Sequence, residues 1–165
     1  MSKMRLMLLL GLSVLAVGLV IGTAIGIDFS DSPSDGLEGT WVLKCYGEPG
    51  KLRVPYPWNR RDITLTISAC VTAEQEIGNI TGRAGVNWYF GNYEVDGNKL
   101  ITYTELGEGK RRDGLACTEM AGPSHLIAQE ARYFHILASN LTYEITNGIL
   151  IISSEKGVLV FKRRE

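Results

Sequence analysis

The chain has 165 residues, of which 45% are hydrophobic and 21% are charged, and its formal net charge at pH 7 is −1. This length and hydrophobic content allow one domain with a buried core, but not two. The small negative charge gives no electrostatic case for nucleic-acid binding, which would favour a strongly basic face, so we expect no nucleic-acid partner.

The N-terminal segment differs from the rest of the chain. Residues 6–27 contain no charged side chain and follow Lys3 and Arg5. As a helix they would span ~33 Å, enough to cross the ~30 Å hydrocarbon core of a bilayer. The preceding positive charges predict that the N-terminus stays in the cytoplasm and the domain lies outside, at the cell membrane. Residues 1–27 are thus interpreted as a membrane anchor; the alternative is a signal peptide cut before Ile27, giving a secreted or periplasmic protein.

Three glycines in the apolar run, Gly18, Gly22 and Gly26, are spaced four residues apart. Small residues at this spacing let two membrane helices approach closely, which predicts a homodimer through this face. The next segment, residues 28–36 with the sequence DFSDSPSDG, is polar and has no periodicity. It is interpreted as a linker between the membrane and the domain that follows.

The rest of the chain, residues 37–165, has the pattern of short β-strands joined by tight turns. In residues 63–68, ITLTIS, apolar and hydroxyl side chains alternate strictly, which is typical of a half-buried strand. Asp96-Gly97 and Asn147-Gly148 are hairpin-turn signals. Other strands are predicted at 39–46, at 76–85, on both sides of Asp96-Gly97 and across 143–163 with a turn at 155–157, and a long loop is predicted over 47–62.

One segment, residues 123–139, places apolar residues at helical intervals, and Pro123 suits a first helical turn. Its polar side carries Gln129, Arg132 and His135. The predicted fold class is therefore mainly antiparallel β, of the α+β type, with a curled sheet or small barrel-like domain and one amphipathic α-helix. The predicted inward positions of the helix are Leu126, Ile127, Glu130, Ala131, Phe134, Leu137 and Ala138.

Four stretches in this order resemble the META/HslJ domain family: GTWVL, GVNWYFGNYEVDGNKL, CTEMAGPSHLIAQEARYFHIL and YEITNGILIISSEKGVLVFKR. The resemblance covers residues 37–165. It implies a mostly antiparallel β fold with one helix, an envelope or membrane setting, and a link to heat shock or stress response. The resemblance supplies no catalytic activity that can be carried over to this chain.

The chain departs from the family pattern at three positions. The family's middle motif reads close to GCNxYxGxY, and Val86 stands at its cysteine. A second motif reads close to TRMACP, and here Gly122 stands at the cysteine and Glu119 at the arginine. Any bridge that joins the two motif cysteines in the family cannot form in this chain.

The stretch GVNWYFGNYEV crowds aromatic and polar side chains together. A structural role is one interpretation, because glycines permit unusual backbone angles and an asparagine can hold a turn. The other interpretation is a ligand or partner patch, because exposed aromatic residues beside polar groups are good anchors. The candidate binding residues are Asn87, Trp88, Tyr89 and Tyr93.

The sequence offers few candidates for a disulfide, a metal site or a catalytic residue. The cysteines are Cys45, Cys70 and Cys117. Outside the membrane a Cys70–Cys117 bridge is favoured, because both residues lie near predicted element ends, and three reduced thiols are the alternative. Cys117, His125 and His135 do not have the spacing of zinc ligands, so no metal and no cofactor are expected. No catalytic residue is predicted, because the chain contains no nucleophile motif.

These observations favour a non-enzymatic, membrane-tethered domain outside the cytoplasm with an envelope or stress-related role, acting by binding another envelope component. The alternative is a carrier that encloses a small apolar ligand near Trp88, Tyr89 and Tyr133. A hydrolase without a recognisable motif is a third hypothesis. Asn79 and Asn140 begin glycosylation sequons, which matter only for a domain outside the cell.

Overall fold

The computed structural model describes residues 36–57, 59, 61–72, 75–138 and 140–165, and for residues 69–72 and 75–77 it describes the backbone alone. The predicted anchor or signal of residues 1–27, with its glycine pattern, lies outside the described residues. So do residues 28–35 of the predicted linker.

The described chain forms eleven strands and one helix. In chain order they are β1 (Gly39–Glu48), β2 (Lys51–Arg53), β3 (Thr64–Thr72), β4 (Gln75–Arg83), β5 (Trp88–Asp96), β6 (Lys99–Glu105), β7 (Arg111–Asp113), β8 (Ala116–Cys117), α1 (Ser124–Leu137), β9 (Leu141–Thr146), β10 (Ile149–Ser154) and β11 (Gly157–Arg163).

Eight of the strands close into an antiparallel barrel, in the order β6-β9-β10-β11-β1-β3-β4-β5, and pairing of β5 with β6 completes the ring. The short strands β2, β7 and β8 add to β1, β6 and β5 at the margins. A mainly antiparallel β fold with a small barrel and one helix, as the sequence predicts, is therefore confirmed. Closure leaves the eight barrel strands without a free edge.

Local sequence signals explain several of these elements. In β3 and the residue before it, Ile63, Leu65 and Ile67 are buried, so the predicted alternation is confirmed. The turn between β9 and β10 holds Asn147 and Gly148 at φ values of 49° and 71°. Asparagine and glycine tolerate such angles at low cost, which is why this dipeptide specifies a two-residue hairpin.

Glycines on the inner face of β4 make room for tyrosine rings from β5. In the strand register Gly78 lies opposite Tyr93, and Gly82 lies opposite Tyr89. A Cβ atom at Gly82 would collide with the Tyr89 hydroxyl and with the carbonyl oxygen of Thr64. Aromatic side chains covering cross-strand glycines are a recognised device of curved sheets.

Large side chains fill the barrel interior, and α1 contributes to the same core. Trp41, Tyr89, Tyr133 and Phe161 are all fully buried. The Tyr133 and Tyr89 hydroxyl oxygens lie 2.7 Å apart, and the Tyr89 hydroxyl donates to the carbonyl oxygen of Thr64 at 2.8 Å. Burial raises the pKa of both tyrosines, so both hydroxyls stay protonated and able to donate.

Three details of the predicted architecture are wrong. Ala131 and Ala138, predicted among the inward positions of the helix, are exposed. The segment 47–62 is not a continuous loop, because β2 pairs with the end of β1. Gln129 is buried rather than on the polar side of the helix, because its amide binds the backbone of Tyr56. The helix α1 has 14 residues, and within the described part of the chain no helix is both long and apolar enough to cross a membrane.

Candidate functional site

The candidate residues of the middle motif divide between the two faces of β5. Tyr89 and Tyr93 point inward and are almost fully buried, whereas Trp88 is 51% exposed. Phe90, on the same outward face, is 52% exposed. Because residues two apart on a strand share a face, Trp88 and Phe90 form an aromatic pair on the outside of the barrel. Trp88 is thus the candidate binding residue with an accessible ring.

Asn87 is buried and joins three segments of the chain. Its backbone N–H donates to Glu130 Oε2 at 2.8 Å, and its Nδ2 donates to Glu130 Oε1 at 2.6 Å. Its Oδ1 accepts from Thr118 Oγ1 at 2.8 Å and from the Met120 N–H at 2.7 Å. The turn itself closes through the Ala84 N–H, which donates to the Asn87 carbonyl at 2.9 Å. We call these contacts the Asn87–Glu130 network.

The Asn87–Glu130 network holds the backbone of Trp88. Thr118 Oγ1 accepts from the Trp88 N–H at 3.1 Å, and the Thr118 N–H donates to the Trp88 carbonyl at 3.0 Å. The motif asparagine is thus an internal positioning residue. The helical pattern places Glu130 among the inward positions but does not identify its partner, although an acidic residue at such a position is a signal for a buried polar contact.

A buried guanidinium lies beside the exposed aromatic pair. Arg83 is only 6% exposed, and its Cζ is 5.4 Å from the centre of the Trp88 ring. Its Nε donates to the Gly85 carbonyl at 2.9 Å. Among the described residues its Nη1 has no hydrogen-bond partner. A buried donor without a partner is uncommon, because it loses hydration without compensation.

A second cation acts on this guanidinium. Arg61 lies three residues before Thr64, the strand partner of Arg83. Burial lowers the pKa of Arg83, and the positive charge of Arg61 lowers it further. Arg61 is exposed. We define the Trp88 surface as Trp88, Phe90, Arg83 and Arg61, an aromatic patch with local positive charge.

The structure does not bring Cys70 and Cys117 together. Cys117 is an exposed free thiol, and only the backbone of Cys70 is described. Cys70 aligns through β4 with Glu94 of β5, whereas Cys117 aligns with Tyr89. These positions differ by five residues, or ~16 Å along the strand, and a disulfide needs Cα atoms within ~7 Å.

The two positions that carry cysteine in the family motifs are in direct contact here. A Cβ atom added to Gly122 would lie 2.6 Å from Cγ2 and 3.4 Å from Cβ of Val86. The Val86 side chain is buried and occupies the space beside Gly122 that a larger residue would need. The simultaneous loss of both cysteines is thus accompanied by a matched packing of valine against glycine.

The histidines do not form a metal site in the described structure. Both His125 and His135 are exposed on α1. In the part of the chain that is described, no three His, Cys, Asp or Glu residues lie close enough to hold a metal ion. The ring of His125 instead packs edge-on against Tyr56, with centroids 6.1 Å apart.

The fold has a counterpart among solved structures. An NMR structure of a protein from Burkholderia xenovorans matches with a TM-score of 0.54 at 20% sequence identity, and the match covers 84% of this chain and 98% of that one. At this identity the likeness shows a common fold alone. No curated protein shows significant sequence similarity to the chain.

The sequence supplies the family assignment. The META domain family matches residues 35–165, which include the barrel, the helix and the middle motif. The resemblance that the four motif stretches predicted is therefore confirmed. The chain belongs to the META domain family.

Proposed function

We propose that this chain is a membrane-tethered META domain outside the cytoplasm, which acts without catalysis by binding another envelope component. The tether is residues 6–27, and its orientation follows from Lys3 and Arg5 at its start. The link to envelope stress comes from the family resemblance. The binding element is the Trp88 surface.

The single observation that carries this proposal is the exposure of two large aromatic rings side by side on β5. Trp88 and Phe90 are each about half exposed, although Tyr89 and Tyr93 on the inward face of the same strand are buried. Rigid exposed aromatic residues are the usual anchors of protein interfaces. The Asn87–Glu130 network holds the backbone of Trp88 in place, which lowers the entropy lost when a partner binds.

The charge of the Trp88 surface indicates what the partner presents. Arg61 is exposed, and the buried Arg83 places a second positive charge beside the Trp88 ring. A carboxylate on the partner would pair with the exposed Arg61. We therefore expect an apolar partner side chain with an acidic group beside it.

The interior of the barrel supports surface binding over carriage of an apolar ligand. Tyr133, which would line the carrier cavity, is fully buried against Tyr89 and Phe161. The Tyr89 hydroxyl already forms hydrogen bonds with the Thr64 carbonyl and the Tyr133 hydroxyl. Side chains therefore fill the space in which a ligand would lie.

The double variant Trp88→Ala/Phe90→Ala is expected to weaken partner binding at least ~30-fold, because truncating anchor residues typically removes 2 kcal/mol or more. The measurement is isolation of the full-length protein from its own membranes in mild detergent, with quantification of co-isolated envelope proteins. Ile101→Ala is the matched control, because Ile101 is an exposed apolar residue on the neighbouring strand β6.

Binding that persists in the double variant, or that Ile101→Ala weakens equally, would contradict the role of the Trp88 surface. The melting temperatures of all variants should stay close to that of the wild type, because the truncated side chains are half exposed. A large drop in the double variant alone would show that these rings support the fold instead.

Cys117 allows a test of the predicted orientation. It is an exposed free thiol, so a membrane-impermeant maleimide should label it in sealed right-side-out vesicles and not in inverted ones. Burial and the charges of Glu130 and Glu119 raise the pKa of this thiol, so the labelling should be slow and should accelerate as the pH rises. Cys117→Ser is the control, and labelling confined to inverted vesicles would refute the orientation.

A further inference from the structure

A second feature of the surface is an open cleft between α1 and the chain that leaves β1. Its volume is about 1090 Å³, slightly above the range of ~300–1,000 Å³ that is typical of small-molecule sites in proteins. Lys51 and Arg53 of β2 and Tyr56 of the following segment line one side. His125 and Arg132 of α1 line the other.

Two hydrogen bonds fix the walls of the cleft relative to each other. The Tyr56 N–H donates to Gln129 Oε1 at 2.7 Å, and Gln129 Nε2 donates to the Tyr56 carbonyl at 2.9 Å. Gln129 is almost fully buried. One amide thus satisfies both backbone groups of Tyr56 and holds this segment against the helix, so the cleft is preformed.

The charge of the lining is unbalanced. Lys51, Arg53 and Arg132 face a single carboxylate, that of Glu48, and this carboxylate already pairs with Arg132 at 2.8 Å. Neither Lys51 nor Arg53 forms an ion pair with any residue that the structure describes. Two cations on one wall of a preformed cleft are therefore available to an anion.

The remaining lining is apolar or aromatic. Val54 and Tyr56 are both about two-thirds exposed, and Pro55 and Ala128 complete this part of the surface. Tyr46 is buried beneath them, close to the positive charges of Arg53 and Arg132. A ligand for this cleft therefore meets both positive charge and exposed ring and methyl surfaces.

We propose that this cleft binds a small organic molecule with an anionic head group, a carboxylate or a phosphate, on an apolar or aromatic body. Lys51 and Arg53 bind the head group, and Tyr56 and Val54 contact the body. This site is separate from the Trp88 surface, and neither proposal depends on the other.

The test is a titration of the full-length protein in a nonionic detergent, followed by ¹H–¹⁵N correlation spectra. The probes are benzoate, phenyl phosphate and benzamide, which is the neutral match to benzoate. Both anions should shift the signals of Val54, Tyr56 and Gln129, and benzamide should bind roughly tenfold more weakly or worse. A clear preference for one anion would identify the head group as carboxylate or phosphate.

Two variants assign the binding to the cationic wall. Lys51→Gln and Arg53→Gln should each weaken benzoate and phenyl phosphate binding several-fold. Lys44→Gln is the control, because it removes the same charge from an exposed position of β1 outside the cleft. The proposal is overturned if neither anion shifts the cleft signals, if benzamide binds as tightly as benzoate, or if Lys44→Gln has the same effect as the cleft variants.

Discussion

The double variant Val86→Cys/Gly122→Cys, in a Cys117→Ser background, is expected to form a disulfide that stabilises the oxidised protein over its reduced form. The Cβ separation of 3.4 Å at these positions is close to that of natural disulfides. Closing a loop of about 36 residues restricts the unfolded chain and contributes about 3 to 4 kcal/mol. The melting temperature should rise by roughly 10 °C on oxidation.

The same protein with reductant is the internal control for this effect. Reduction should leave it slightly less stable than the wild type, because the buried Val86 side chain is lost. Thiol titration reports whether the bridge forms. If the cysteines introduced at positions 86 and 122 remain free thiols after oxidation, the contact between Val86 and Gly122 is contradicted. Equal melting temperatures with and without reductant would contradict it as well.

Asn87→Ala is expected to destabilise the domain by about 3 kcal/mol. The change removes three side-chain hydrogen bonds and leaves the buried Glu130 carboxylate with one donor fewer. Each lost bond typically contributes about 1 kcal/mol, and a buried charge left without its donor adds to the loss. Urea unfolding, monitored by circular dichroism, measures the change.

Asn92→Ala provides the matched control, because Asn92 is a half-buried asparagine on β5, the strand that begins directly after Asn87. It should change stability by no more than about 0.5 kcal/mol. Asn87→Asp keeps the size of the side chain but sets a second carboxylate against Glu130, so it should be at least as damaging as alanine. Stability unaffected by either Asn87 change would refute the role of the Asn87–Glu130 network.

Most of the barrel was predictable because its signals are local. The alternation from Ile63 to Ile67 and the turn residues Asp96-Gly97 and Asn147-Gly148 specify strands and hairpins without reference to distant residues. Lys51–Arg53 escaped prediction, since three residues between proline-rich segments show no period. Their pairing depends on the neighbouring strand β1.

The interactions of the buried polar residues could not be predicted from the sequence, for a related reason. Glutamine is a residue type that is usually found at exposed helix positions. The partner that buries Gln129 is Tyr56, which lies 73 residues away in the sequence. Glu130 likewise depends on Asn87, which is 43 residues away. No periodicity encodes such contacts, because they arise only when the helix is packed against the barrel.

The candidate site was predictable only in part. The alternation along β5 separates Tyr89 and Tyr93 from Trp88 and Phe90, but it does not say which face is buried. Closure of the barrel decides this, because the face with Tyr89 lines the interior. The sequence thus located the segment, and the structure selects Trp88 and Phe90 as its accessible part.

Photo-crosslinking from β5 tests the central claim most directly. A benzophenone amino acid replaces Phe90 in the full-length protein, and in a parallel variant it replaces Ile101. After irradiation in the native membrane, mass spectrometry identifies the adducts. Binding through the Trp88 surface predicts one dominant protein adduct from position 90 that is absent from position 101. Equal labelling from both positions, or no adduct from position 90, would contradict it.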